Sequence, residues 1–413
     1  MHIAHLSLTN FRNYEHLEME LGPGMTIFEG DNGEGKSNLL EAAYILAVTK
    51  SPRTSSDREL IRRGAYDETI DPQVQIAAVT RINDRETRLQ IGLRRVNTPP
   101  SSNQHPTTDG QSAEVDRLDV NPAAVQKQFR INGVPRRASD LVGEFNAVMF
   151  SADDMGLALG PPAVRRRYLD ILISQMDQDY IKALQRYQRV ITQRNHLLKT
   201  IREGHSRHAE LDFWNDELSS AGSYVMAART RTVAALTDLT AQIFLELYDR
   251  GSILQIVYRP NVSCGSEDSE ADIADHLRSA LEDRKTAEVL QGFTLCGPHR
   301  DDLQIFLGDM DVGVYASRGQ CRLAVLAMRL AEASYLNRTR GDCPVILLDD
   351  VLSELDPTTK TSVLDLASNY DQSLITTADP DQIDKMYLSR ATRFMVRHQQ
   401  VEPVPSCNRT WDE

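Results

Sequence analysis

Apolar and polar positions alternate along residues 73–94 (QVQIAAVT, then RLQIGL), the period of antiparallel strands. Residues 3–8 and 25–29 also read as strands, separated by the turn residues Gly22, Pro23 and Gly24. A helix is expected from about Ser37 to Val48. The stretch Asn97 to Gly110 is polar and rich in proline, which predicts a disordered hairpin tip. Strand character resumes near Phe129 and ends with Ala147 to Phe150. From Pro161 to about Glu288 the period becomes helical. Tyr180, Leu184, Tyr187, Ile191 and Leu198 share one face, with Lys182, Arg186 and Arg189 on another. Loops such as Glu203 to Ser206 interrupt this region. Two helices of about 30 residues would form an arm of roughly 45 Å, far too short for a coiled-coil rod. After Gln291 the pattern returns to α/β: strand Asp302 to Leu307, helix Gln320 to Asn337, and strands Val345 to Leu348 and Ser373 to Thr376. The fold class is therefore α/β, a mixed-sheet head split by a mostly α-helical insertion. Its expected parts are an N-terminal lobe (1–160), an arm (161–290), a C-terminal lobe (291–397) and a tail (398–413).

Composition narrows the function classes. The 413-residue chain is 25% charged and 6% aromatic, as in soluble globular proteins. No apolar run approaches the ~20 residues of a membrane span, and MHIAHLSLTNFRNY lacks the layout of a secretory signal. Cys264, Cys296, Cys321, Cys343 and Cys407 form no CxxC pair and have no histidine at metal spacing. Reduced thiols without chemistry, in a cytoplasmic protein, are the expectation. A net charge of −13 speaks against nucleic acid only if basic residues are evenly spread. From Arg165 to Arg207, ten Lys or Arg stand against four Asp or Glu, a local charge of +6. Arg53, Arg58, Arg62 and Arg63 form a second cluster. Either cluster is a nucleic-acid patch or a solvated face.

The most specific chemistry is Gly30-Asp31-Asn32-Gly33-Glu34-Gly35-Lys36-Ser37, a full match to G-x-x-x-x-G-K-[ST] between an apolar strand and a helix. Its glycines let successive amides face phosphates, and the helix adds its positive N-terminus. Lys36 would bridge the β and γ phosphates of ATP, and the Ser37 hydroxyl would ligate Mg2+. The strand Val345 to Leu348 runs into Asp349 and Asp350. Asp349 is assigned to Mg2+ and Asp350 to the base that polarises water. About 310 residues separate the two motifs, a spacing that simple kinases and GTPases do not show. Ser317-Arg318-Gly319-Gln320 opens a helix about 30 residues before the acidic strand, and could grip a γ-phosphate or merely cap the helix.

With these residues assembled, the chain resembles the RecF family of bacterial recombination mediators, within the ABC/SMC class of ATPases. The likeness covers nearly all of residues 1–395. Specific stretches are Leu8 to Tyr14, Gly30 to Asn38 with Leu40-Glu41-Ala42, and Arg53-Thr54 with Asp57 and Glu59 to Ile61. Further ones are Arg165 to Asp170, Gln193 to Asn195, Gly297 to Asp302 and Leu347 to Asp356. The resemblance implies an ABC-type head that dimerises head to head, Ser317 and Gly319 of one subunit closing over the Walker A loop of the other. Ser353 to Asp356 would cross that interface, and Thr377 would occupy a switch position where many ABC proteins carry histidine. Arg12 and Asn38 would join the nucleotide site. The implied activity is ATP-gated binding of duplex, gapped or junction DNA, with weak hydrolysis as a release switch. The implied setting is recombinational gap repair, fork restart and the SOS response, with RecR and RecO as partners in recombinase loading.

Some features depart from that pattern: Arg318 and Cys321 in the signature, Ser151 to Asp154 where proline and glutamate are commoner, the 97–128 insertion and the tail. Arg165 to Arg167 could meet DNA phosphate or pack the base of the arm against acids. His299 and Arg300 could sense DNA or nucleotide, or simply hold their loop. Trp214 reads as core rather than a base-stacking platform. Two other classes compete. One is the engine of a membrane transporter, for which no coupling surface is legible; the other is a P-loop kinase, disfavoured by the motif spacing.

Overall fold

The computed structural model describes residues 1–65, 73–83, 85–96, 124–248, 251–265 and 267–405. The expected hairpin tip at 97–110 lies outside them. The N-terminal alternation builds a six-stranded antiparallel sheet. In it β1 (His2–Phe11), β2 (Tyr14–Glu20), β4 (Val74–Ile82), β5 (Arg85–Val96), β6 (Ala124–Ile131) and β7 (Val134–Arg136) run in the order β2-β1-β4-β5-β6-β7.

A second sheet draws strands from both ends of the chain. It contains β3 (Gly24–Glu29), β8 (Ala147–Ser151), β12 (Val345–Asp349), β13 (Gln372–Thr377), β14 (Thr392–Arg397) and β15 (Gln400–Pro403), ordered β15-β14-β3-β13-β12-β8. Strand β13 pairs in parallel with both β3 and β12, while β14 and β15 form an antiparallel hairpin at the edge. Because successive side chains point to opposite faces, each central strand feeds two cores. Phe28, Met149, Val345, Leu347 and Leu374 join α1 (Lys36–Val48) and the antiparallel sheet. Ile27, Val148, Phe150, Ile346, Leu348 and Ile375 join the helices on the other face. Helix α1 is sandwiched between the sheets, which is why nearly all its residues are buried.

The arm is made of α2 (Pro162–Ser174), α3 (Gln178–Arg202), α4 (Leu211–Leu247) and α5 (Glu270–Gln291). Helix α4 has 37 residues and spans about 55 Å. Its N-terminal half packs in the arm through Leu218, Ala221 and Met226. Its C-terminal half packs in the head, beside α6 (Arg318–Arg340), through Val233, Leu236 and Phe244. Two expectations shift here. Residues 254–259, read as part of a helical arm, form β9 (Leu254–Arg259), antiparallel to β10 (Asp302–Leu307), which also pairs with β11 (Met310–Asp311). The helical surroundings masked this short strand, whose partner lies beyond α5. Residues 400–403, assigned to a tail, are instead β15, paired with β14 from Arg397↔Gln400 to Phe394↔Pro403.

Candidate nucleotide-binding site

The carboxyl ends of β3, β13 and β12 lie side by side, with Phe28 and Asp349 each in register with Thr376. Open α/β sheets bind ligands at such strand ends. The Gly30–Ser37 loop leaves β3 here and enters α1. Gly30, Gly33 and Gly35 have φ of 150°, 90° and 112°, values that side-chain-bearing residues rarely adopt. A Cβ on Gly30 would stand 2.3 Å from the Val396 carbonyl oxygen, and one on Gly35 would stand 2.3 Å from Asn13 Nδ2. Gly35 starts α1 without any side-chain cap or acid in the first turn, so among the described residues no side chain engages the amides at this end. Lys36 Nζ donates to the Gly30 and Asp31 carbonyls at 2.7 and 2.8 Å, folding the loop around the ammonium. Burial lowers its pKa, opposed by Asp350, Asp349, Asp31 and Glu34. Asp31, Asn32 and Gly33 are exposed at the rim.

The turn between β1 and β2 braces this loop from outside. Asn13 Nδ2 donates to the Glu34 carbonyl at 3.0 Å, and the Tyr14 hydroxyl donates to the Gly35 carbonyl at 3.1 Å. Asn38 Nδ2 donates to Asn13 Oδ1 at 2.7 Å. The Glu34 carboxylate accepts from the His398 amide, so the edge hairpin also grips the loop. Arg12, which the resemblance places against nucleotide, has other partners. Its Nε and Nη2 fork onto Glu41 at 2.8 and 2.6 Å, and Nη1 reaches the Glu59 carbonyl at 2.9 Å. Glu41 is fully buried in α1 and also accepts from Ser51 Oγ at 2.6 Å.

Across the strand ends, the Thr376 hydroxyl donates to Asp349 Oδ1 at 2.9 Å and accepts from the Asp350 amide at 2.9 Å. Burial raises the pKa of Asp349, opposed by hydrogen bonds from Ser37 and Thr376 and by the nearby Arg53. The Walker serine and the first acid of the strand are thus brought together from opposite ends of the sequence. Asp350 has φ of 53°, and its Oδ1 is buried without a hydrogen-bond partner. A pocket of about 30 Å³ beside it, lined by Ser151, Asp154, Arg322 and Glu354, has room for a water molecule. Ser37, Asp349 and the orphaned oxygen of Asp350 are hard oxygen donors of the kind that suits Mg2+. Arg53, read from sequence only as part of a basic cluster, bonds Asn38 Oδ1 at 3.0 Å and adds a cation beside the acids. The Thr377 hydroxyl forms a local turn, bonding the Asp379 carbonyl at 3.0 Å and amide at 3.1 Å.

Ser317 caps α6. Its hydroxyl accepts from the Gln320 amide at 3.3 Å, and its amide donates to Gln320 Oε1 at 2.9 Å. Ser317, Arg318 and Gly319 are exposed. Among the described residues, no hydrogen bond or ion pair joins this segment to the Gly30–Ser37 loop. Beyond it, Arg322 pairs with Glu354, while Asp356 caps α7 (Pro357–Ser368). The arginine run at 165–167 packs the arm's base. Arg165 forks onto Asp302 at 2.7 and 2.9 Å, Arg166 donates to the Asp301 carbonyl at 2.7 Å and Arg167 to the Ser51 carbonyl at 2.7 Å. Buried Arg229 of α4 ties Asp170 to Asp301. No helix among the described residues is long and apolar enough to cross a membrane.

Residues 2–402 match the family model described as the RecF/RecN/SMC N terminal domain. The chain is 40% identical over 407 residues to the DNA replication and repair protein RecF of Chloroflexus aurantiacus, covering 97% of this chain and 99% of the relative. It superposes with a TM-score of 0.82 on a solved structure of the recombination mediator protein RecF with ATP in the RecFOR pathway. That pair is 27% identical, with 98% of this chain and 97% of the other covered. The Smc head domain of Pyrococcus furiosus shares the fold, with a TM-score of 0.50 and 17% identity over 98% of this chain and 96% of the other. Likeness of this extent, on a head whose Walker serine meets its acidic strand across the sheet, means that the chain belongs to the RecF family.

Proposed function

We propose that this chain is an ATP-dependent DNA-binding protein of recombinational repair, in which ATP latches two heads together. The observation that carries this reading is the divided site. One surface presents the phosphate loop and the two acids, while Ser317 to Gln320 opens a separate helix whose first residues, Ser317 to Gly319, are exposed and, among the described residues, make no bond to that loop. In this reading a second copy supplies the missing half. The loop amides and Lys36 hold the β and γ phosphates, and the partner's α6 N-terminus closes on the γ-phosphate. Ser37 and Asp349 would hold Mg2+, which when bound would neutralise charge on the transferring phosphoryl group. Asp350 orients and polarises water from the pocket at Ser151 and Asp154. Hydrolysis is slow and serves release of DNA. RecR and RecO are the expected partners, because the structurally similar RecF is described within a RecFOR pathway.

The test is binding of duplex and gapped DNA with and without a non-hydrolysable ATP analogue, across a salt series. Nucleotide-stimulated affinity that falls log-linearly with salt is expected, since phosphate contacts release counterions. Affinity indifferent to both nucleotide and salt would overturn the reading.

A further inference from the structure

The loop between β9 and α5 brings together three residues of a kind that sequence spacing did not pair. The Cys264 Sγ, an Asp268 carboxylate oxygen and a His276 ring nitrogen all lie within 4.8 Å of one another. His276 Nδ1 is 3.4 Å from Asp268 Oδ2. Cys264 and Asp268 are half-buried, and His276 faces solvent from the second turn of α5. The loop is shaped around the carboxylate: the Gly265 amide donates to Asp268 Oδ2 at 2.6 Å, and the Asp268 amide returns to the Gly265 carbonyl at 3.3 Å. A Cβ on Gly265 would fall 2.7 Å from Asp268 Oδ1, so a side chain there would push the carboxylate aside. The neighbouring acid Asp272 is already engaged, accepting the Ser269 amide and hydroxyl at 3.0 and 2.6 Å.

We propose that Cys264, Asp268 and His276 form a zinc site. Thiolate, imidazole and carboxylate together are a donor set that zinc takes at about 2.0–2.3 Å. Donors on a tetrahedral ion at those lengths stand roughly 3.3–3.7 Å apart, so closing this triad needs only small side-chain rotations. The exposed side of His276 leaves a fourth position for water. Binding displaces the thiol proton to solvent and replaces the Cys264 contact to the Val262 carbonyl, now 3.2 Å. The ion would clip the loop onto α5. The same loop carries Asn261, whose amide donates to Asp301 Oδ1 at 2.7 Å beside Arg229. Zinc would therefore stiffen the junction of arm and head, at a place separate from the phosphate loop.

The experiment uses the full chain, stripped with a chelator and kept free of nucleotide and magnesium. Titration with Co2+ is expected to give one equivalent bound with a thiolate-to-cobalt charge-transfer band, displaced by Zn2+. Cys264→Ser should remove the band, and His276→Gln should weaken Zn2+ binding about tenfold or more. Because a variant can fail to fold, the wild-type chain supplies a second measurement. Zn2+ should slow alkylation of Cys264, read by peptide mass spectrometry, by about tenfold or more. Substoichiometric binding, a band that persists in Cys264→Ser, or alkylation of Cys264 indifferent to Zn2+ would each overturn the proposal.

Discussion

Replacing Arg12 by alanine separates the role implied by family resemblance from the one the geometry gives it. The side chain of Glu41 is 0% exposed and that of Arg12 17%, and the two meet in a two-point fork. Removing one partner of a buried pair costs about 3–5 kcal/mol, because the other charge is left without compensation. Glu41 keeps the Ser51 hydroxyl at 2.6 Å and has Arg53 at 3.8 Å, which soften the loss to somewhat below that range, about 2–3 kcal/mol. Arg12→Ala combined with Glu41→Ala should recover part of that loss, with a coupling of about 1 kcal/mol or more. Urea unfolding of the nucleotide-free chain near neutral pH, following the same transition in all four proteins, measures the cycle. ATP affinity, read in parallel by a fluorescent analogue, should fall by less than about tenfold, since Arg12 acts on the loop only through α1. If Arg12→Ala leaves the urea midpoint unchanged and ATP affinity collapses, the bracing argument is wrong and Arg12 acts on nucleotide directly.

Gly35→Ala should cost about 1–3 kcal/mol of backbone strain and displace Asn13 and Tyr14 from the loop, measured as a loss of nucleotide affinity with the fold retained by circular dichroism. Asp350→Asn should keep ATP binding and slow turnover by about 100-fold or more in a phosphate-release assay, with DNA residence lengthened; normal hydrolysis would reject Asp350 as the base. Ser317→Ala should let the monomer bind ATP but block closure, so sedimentation with ATP should show a monomer where the parent chain dimerises. His299 gives a pH dependence. Its Nε2 faces the Thr294 carbonyl at 3.2 Å and so carries the proton, leaving Nδ1 to accept from the Tyr187 hydroxyl at 2.6 Å. Burial, with Arg300, Arg166 and Arg194 nearby, pushes its pKa down from 6.5 to about 4, against the bond to Thr294. Between those values the unfolded chain takes up a proton that the folded chain refuses. Stability is thus intact above pH 6.5 and falls as pH drops towards 4, by an amount on the order of 3 kcal/mol. His299→Gln should flatten that part of the urea-midpoint profile; an unchanged slope would mean that His299 is not held neutral.

Local order was largely legible in the sequence. The P-loop is contiguous, and the positive φ angles of its glycines belong to the loop's own turn. The strand ending in Asp349 and Asp350 was visible as an apolar run meeting acids, and the long helices as a period along the chain. Such features depend on neighbours within a few residues. Others depend on partners hundreds of residues away, and only the tertiary structure decided them. Strand β9 was hidden because its partner β10 lies beyond α5, and β15 because a short edge strand is defined by its hairpin rather than by its composition. For Arg165 to Arg167 the sequence left DNA contact and packing against acids both open, until Asp302, Asp301 and Ser51 supplied their acceptors. Ser37 and Asp349 come together because β3, β13 and β12 are parallel neighbours, whereas Ser317 stays apart on α6. Cys264, Asp268 and His276 follow the same rule on a smaller scale: a glycine turn and one helical turn, not their spacing, bring three donors to a point. Sequence by itself determined the Gly30–Ser37 loop, because a turn of glycines and its helix are local objects. Folding decided which distant charges face each other, because that is fixed by strand order and by the two faces of one central sheet.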